Sequence, residues 1–158
     1  MQHFCIYRNA GKDVSQMHKV FGRKQEGTYY ERPGAYLLPF AGDKMAVVRT
    51  HRGLFLLGGG IQETENDLEC VRRECLEDCG YTCRIGEMLA SAEAYCIHDK
   101  KVLFHPIQHY YLGELLKKVQ EPTEKDHSLL WMTYEQIKGN MFSDMQNWAV
   151  ELAWKERK

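Results

Sequence analysis

The feature that most constrains this chain is a junction near its middle. A short apolar run, Leu54-Phe55-Leu56-Leu57, stops on Gly58-Gly59-Gly60, and helical periodicity follows as far as Gly80. Successive glycines adopt backbone angles closed to other residues and let a ligand or a second segment approach the main chain closely. An extended segment, a glycine turn and an amphipathic helix must therefore follow one another. That order belongs to folds that layer helices on a sheet.

The flanking sequence supplies the remaining strands. Ala35-Tyr36-Leu37-Leu38-Pro39-Phe40 and Met45-Ala46-Val47-Val48-Arg49 have strand character, with Gly42-Asp43 as a hairpin signal between them. In the central helix Thr64 is the expected N-cap, with Asp67 three positions on. Leu68, Val71, Cys75 and Cys79 form the apolar stripe, and Gly80 is the stop. Further strands are expected over 83–85, 91–97 and 102–116, with a turn at 98–101 and with Pro106 weakening the start of the last. After a polar loop at 117–128 come a short strand at 129–132 and two helices. The capping pairs Thr133 with Gln136 and Ser143 with Gln146 begin these helices. The first ends near Gly139, and the second shows Met145, Trp148, Ala149 and Leu152 as its apolar face. Residues 1–28 are poorly periodic and read as an arm or a first edge strand, leaving 29–158 as one α/β domain with a mixed sheet and helices on its faces.

Composition narrows the function. The chain has 158 residues, 44% of them apolar, enough to bury a core without staples. The net charge of −1 writes no general attraction to DNA or RNA, so a phosphorylated ligand must be held by local groups. Cys5, Cys70, Cys75, Cys79, Cys83 and Cys96 include no CxxC pair, so neither a zinc site nor a disulfide framework is expected. The start of the chain turns polar too soon for a secretory leader, and no apolar run reaches membrane-spanning length. The expectation is a cytoplasmic protein with no membrane or large nucleic-acid partner.

The central helix carries the chemistry. At about 100° per residue, Glu74, Glu77 and Asp78 fall within an arc of roughly 100°. The basic neighbours Arg72 and Arg73 are expected on the other side of the helix. Three like charges so close repel one another, and a divalent cation relieves the repulsion. Hard cations such as Mg2+ take carboxylate oxygens together with water and substrate phosphate. The alternative for the helix alone is a solvated acidic face with no metal.

The segment 59–81 resembles the Nudix box, with Gly59, Glu65, Arg73, Glu74, Glu77 and Gly80 on the matching positions. Asp78 stands where the family usually has Glu, Cys75 and Tyr81 replace aliphatic residues, and Leu57 replaces the common Pro before the two glycines. The resemblance implies an α/β/α sandwich with a mixed sheet. It implies a Mg2+-dependent hydrolase, with Mn2+ as a substitute, that cuts a phosphoanhydride bond in a nucleoside diphosphate linked to another group. Glu74 and Glu77 would be catalytic; Glu74, Glu77, Asp78 and the Gly59 carbonyl would be metal ligands. Glu65 and Arg73 would form a bracing salt bridge. The general base would be Glu74 or Glu77, or an acid of a distal loop, for which Glu121 and Glu124 are candidates. A catalytically silent module that binds a nucleotide or a partner is the competing reading.

No substrate-binding residue is assigned by sequence. Tyr29, Tyr30, Tyr95, Tyr110 and Tyr111 are candidates for base stacking, and His98 and His127 for phosphate contact, against the commoner role of each as an ordinary sheet or surface residue. A nucleoside triphosphate, a nucleotide sugar and a dinucleoside polyphosphate all stay open, as does a homodimer.

Overall fold

The computed structural model describes residues 2–9, 12–99 and 101–157, with side chains described from Met17 onward. Its strands are β1 (Gln2–Asn9), β2 (Lys12–Phe21), β3 (Tyr30–Ala41), β4 (Lys44–Thr50), β5 (Gly53–Phe55), β6 (Leu57–Gly60), β7 (Tyr81–Ala94), β8 (Cys96–His98), β9 (Val102–Lys118) and β10 (Ser128–Thr133). The helices are α1 (Asp67–Cys79), α2 (Tyr134–Ile137) and α3 (Asp144–Glu156). The strands form one ten-stranded mixed sheet in the order β1-β2-β7-β9-β3-β4-β10, with β5 paired to β4, β6 to β3 and β8 to β9. The β2–β7 and β3–β9 pairs are parallel, and the others are antiparallel.

Alternation along the central strands builds a core on each face of the sheet. Ala35 and Leu37 of β3, with Ala46 and Val48 of β4, pack with Cys70, Val71, Cys75 and Cys79 of α1. Tyr36 and Leu38, with Met45 and Val47, pack with Met145, Ala149, Val150 and Ala153 of α3. The result is the expected sandwich of helix, mixed sheet and helix.

Several local expectations are corrected. The N-cap of α1 is Asn66, not Thr64: the Asn66 side chain accepts from the Glu69 N–H. Thr64 lies in a preceding turn closed by Glu65 N–H to the Gln62 carbonyl at 2.9 Å and by Gln62 N–H to the Glu65 carboxylate at 2.9 Å. Leu68 is exposed; the buried α1 residues are Cys70, Val71, Cys75, Asp78 and Cys79. Gly58, Gly59 and Gly60 do not form a turn but belong to β6, opposite Tyr36, Ala35 and Gly34. A Cβ on Gly58, where φ is 143°, would come within 2.3 Å of the Ala35 carbonyl oxygen, so close strand pairing is what this glycine serves. The strands expected at 83–85 and 91–97 are largely one long strand, β7, followed by the short β8. Pro106 sits within β9, opposite Arg32 in parallel register.

One capping pair forms in full and one in half: Thr133 and Gln136 make a reciprocal capping box on α2, while Ser143 caps α3 by accepting from Gln146 N–H and the Gln146 side chain turns to Leu56 and Gln108 instead. The buried face of α3 is shifted from the expected one to Met145, Gln146, Ala149, Val150 and Ala153. Cys70, Cys75, Cys79, Cys83 and Cys96 are free thiols, while the Cys5 side chain lies outside the described residues. No helix among the described residues is long and apolar enough to cross a membrane.

Candidate active site

Gly80 fixes the end of α1. Its φ of 78° suits glycine, and its N–H reaches the Cys75 and Leu76 carbonyls at 3.1 and 3.0 Å. The loop after β9 is tied to the same end: Val119 N–H donates to the Gly80 carbonyl at 2.9 Å, and Thr123 N–H to the Glu77 carbonyl at 3.0 Å. One end of α1, β6 and the 119–127 loop thus meet, and the acidic residues stand where they meet.

Arg73 organises the acids. Its guanidinium donates to Glu65 at 2.5 and 2.9 Å, to the Gly60 carbonyl at 3.1 Å, to Glu74 at 2.9 Å and to Glu77 at 3.1 Å. The bracing pair is therefore formed, and it also clamps β6. The expectation that Arg73 lies on the other side of the helix fails. On a helical wheel it is only about 40° from Glu77, and its long side chain crosses that gap. The bond from Arg73 holds the Glu65 carboxyl below its usual range.

Glu74 and Asp78 behave differently. Burial, followed by the nearby Asp78 charge, pushes Glu74 up to about 7 despite the Arg73 bond. Its carboxylate packs on the backbone of Gly59, where an added Cβ would lie 2.6 Å from Glu74 Oε1. Burial likewise lifts Asp78 to about 7, against the lowering bond from Gly58 N–H and with further lifts from Glu77 and Glu124. Asp78 accepts from Gly58 N–H at 3.2 Å and meets His127 Nδ1 at 3.1 Å. The Asp78 carboxylate thus lies against the scaffold. The Gly59 carbonyl accepts from the Cys70 thiol at 3.4 Å. Among the described residues, no three His, Cys, Asp or Glu side chains are grouped so as to hold a metal ion. The donor set nevertheless suits a hard cation, being all oxygen, and burial makes two of its carboxylates costly to charge without one.

The distal acids separate. Glu121 is exposed and pairs with Lys118 at 3.1 Å, whereas Glu124 lies near enough to Asp78 to raise it.

Gly58, Gly59, Asp78 and His127 form part of the wall of a cavity of about 930 Å3. Tyr30, Tyr95 and His98 also line it. The other candidate tyrosines do not. Tyr110 is fully buried, Tyr111 donates to Asp67 at 2.6 Å, and Tyr29 packs edge-on against Tyr95. The lining residues that sequence reasoning missed include Arg32, Arg52, Phe55 and Phe142. Phe142, directly before the Ser143 cap, carried a usable signal, since a large aromatic there falls outside the apolar face of α3. The others follow only from pairing between distant segments.

The family model described as NUDIX domain matches residues 31–152. No curated protein sequence matches the chain at a significant level. Among solved structures, the chain is similar to a MutT NUDIX hydrolase from Burkholderia pseudomallei, with a TM-score of 0.65 at 18% identity over 78% of this chain and 98% of that one. It is also similar to a NUDIX hydrolase from Nitrosomonas europaea, with a TM-score of 0.66 at 15% identity over 80% of this chain and 91% of that one. A structure described as UDP-X diphosphatase aligns with a TM-score of 0.64 at 17% identity over 82% of this chain; the match spans 64% of that longer protein.

Proposed function

This chain belongs to the NUDIX family, and from that premise we propose that it is a Mg2+-dependent hydrolase of a phosphoanhydride bond in a nucleoside diphosphate linked to another group. The observation that carries the reading is the junction of β6 with α1. Glu74 packs on Gly59, Glu77 lies beside it on the same helix turn, and Asp78 is held by Gly58. Gly58, Gly59 and Asp78 all face the cavity.

Glu74, Glu77, Asp78 and the Gly59 carbonyl would hold Mg2+, or Mn2+ in its place. When bound, the ion supplies charge screening of the phosphates, orientation of a water and stabilisation of the leaving oxygen. The Glu65–Arg73 pair sets the register of α1 against β6, which fixes Glu74 relative to Gly59. Arg73 competes for Glu74 and Glu77 in the absence of metal and keeps their charges from driving the helix end apart. The proton released by the attacking water would go to a carboxylate behind this wall: Glu74 or Glu77 on α1, or Glu124 beside Asp78.

The test is phosphate or pyrophosphate release from a mixed nucleotide panel. Activity should require Mg2+ or Mn2+, vanish in EDTA and return on adding metal; full activity in chelator would remove the mechanism. Glu77→Gln should lower turnover by about two orders of magnitude or more. Its metal-free melting temperature should change little, because the amide oxygen introduced at that position still accepts from Arg73. A wild-type protein that binds nucleotides yet cleaves none would establish the silent-module reading instead.

A further inference from the structure

The proposed reaction leaves open what lies beyond the diphosphate, and the cavity bears on it. We propose that this group is a second nucleobase-bearing unit, so that the preferred substrates are dinucleoside polyphosphates; the proposal rests on the hydrolase reading and narrows it.

The order of groups along the cavity carries the inference. β6 runs antiparallel to β3, with Gly60 opposite Gly34 and Gly58 opposite Tyr36. Following β3 back from Tyr36 leads to Arg32 and then Tyr30. Continuing in the opposite direction from Gly58 leads to Phe55. The box glycines therefore stand between Tyr30 and Phe55. At a strand rise of about 3.3 Å per residue, Tyr30 lies roughly 20 Å from Tyr36, and Phe55 up to roughly 10 Å from Gly58.

Each end presents an aromatic face. At one, Tyr30 is 62% exposed and stacks on Phe104, with ring centres 6.0 Å apart and planes 15° apart. At the other, Phe142 is 52% exposed and stacks on Phe55 at 5.0 Å and 27°, with the Arg52 guanidinium 4.8 Å from the Phe142 ring centre. All of these residues line the same cavity. Between the ends, the Arg32 guanidinium lies against Gly60, 3.0 Å from where a Cβ would stand, and supplies a cation beside the box.

Charge sets the polarity. Asp99 lines the cavity with His98, which packs on Phe104, while Asp144 follows Phe142 by two residues and lines it too. A carboxylate repels phosphate but accepts hydrogen bonds from the exocyclic amines of adenine, guanine or cytosine. The Tyr30 end therefore suits a base by charge; at the Phe142 end Asp144 offsets Arg52, and the stacked Phe55–Phe142 pair supplies the face for a base, while Arg32 beside the box suits phosphates. A nucleoside triphosphate would point its charged tail at one aromatic face and its neighbouring Asp. A nucleotide sugar would set a non-planar hydroxylated ring there. A ligand with a base at each end covers both faces. The volume of about 930 Å3 also lies near the top of the range of about 300–1,000 Å3 for single drug-sized ligands.

The probes are diadenosine tetraphosphate, ATP and UDP-glucose, compared by kcat/KM with Mg2+ and by calorimetric affinity with Ca2+ in its place. Diadenosine tetraphosphate should be preferred by about ten-fold or more, the size of one added base–aromatic stack. Tyr30→Ala and Phe142→Ala should each weaken its binding by about ten-fold, and the double variant by about a hundred-fold, since the two ends are far apart. Tyr30→Phe and Phe142→Tyr keep a stacking face and should restore affinity, which separates lost stacking from disturbed folding. Preference for ATP or UDP-glucose, or a double variant no weaker than the worse single one, overturns the proposal while leaving hydrolysis intact. If none of the probes is cleaved but two-base binding and its additive loss persist, the hydrolase reading falls and the two-ended site stands.

Discussion

At the scale of single residues, the site is governed by what burial does to charge. Glu74 and Asp78 are both raised to about 7, by burial first. A carboxyl whose folded value is raised favours the folded state while protonated. Its stabilising contribution is complete below the ordinary carboxylate range and is lost as pH rises toward 7. The EDTA-treated protein should therefore melt at a lower temperature at pH 8 than at pH 5, and Mg2+ should restore stability more at pH 8. Equal melting temperatures at the two pH values would mean that these acids ionise freely. Arg73 has a different task. Arg73→Ala removes donors from Glu65 and the Gly60 carbonyl, and Glu65 is mostly shielded. Denaturant titration should show a loss of about 2 kcal/mol, and kcat should fall with it, because the helix and β6 lose their common clamp.

At the scale of elements, α1 shows how local signals compete. Thr64 and Asp67 have capping-box spacing, yet the Glu65 carboxylate caps the Gln62 N–H and is held by Arg73. The chain at Thr64 is thereby committed to a turn, and Asn66 takes the cap. Asn66→Ala should cost about 1 kcal/mol, whereas Thr64→Ala should stay within about 0.5 kcal/mol; the reverse order would return the cap to Thr64. The helix end is fixed more rigidly. A Cβ on Gly80 would meet the Gln120 carbonyl oxygen at 1.9 Å, so this glycine serves both the left-handed turn and the docking of the loop that carries Glu124 and His127. The stop was legible in the sequence; the docking was not, because Gln120 is remote along the chain.

At the scale of the whole molecule, the two helical layers communicate with the site through the sheet. Gln146 of α3 is buried, accepts from Leu56 N–H at 2.9 Å and donates to Gln108 at 3.4 Å. Leu56 is the residue between β5 and β6, so the terminal helix satisfies the main chain where it bends into the box glycines. Gln146→Leu leaves that N–H unpaired in the core and should lower stability by about 1–3 kcal/mol, measured by denaturant unfolding. A neutral result would show that water or a shifted backbone replaces the bond. The same helix and its cap contribute to the cavity, whose wall includes Ser143, Asp144, Met145 and Gln146.

The sequence by itself determined the features written within one element. The acidic arc of Glu74, Glu77 and Asp78, the Gly80 stop, the Thr133 and Ser143 caps and the strand character of 35–40 and 45–49 all depend on spacings of a few residues. Helix and strand geometry convert such spacings directly into neighbours. The match of residues to the Nudix box had the same local basis. Tertiary structure decided whatever depends on which strands pair. The register of β3 against β6 turned the expected glycine turn into a strand and buried Leu57 at the position where proline is common in the family. The reach of Arg73 depended on where β6 placed Gly60. Phe55 and Phe142, Tyr30 and Phe104, and Asp78 and His127 are each brought together from separate segments, and no periodicity within one segment records a contact that the fold alone creates.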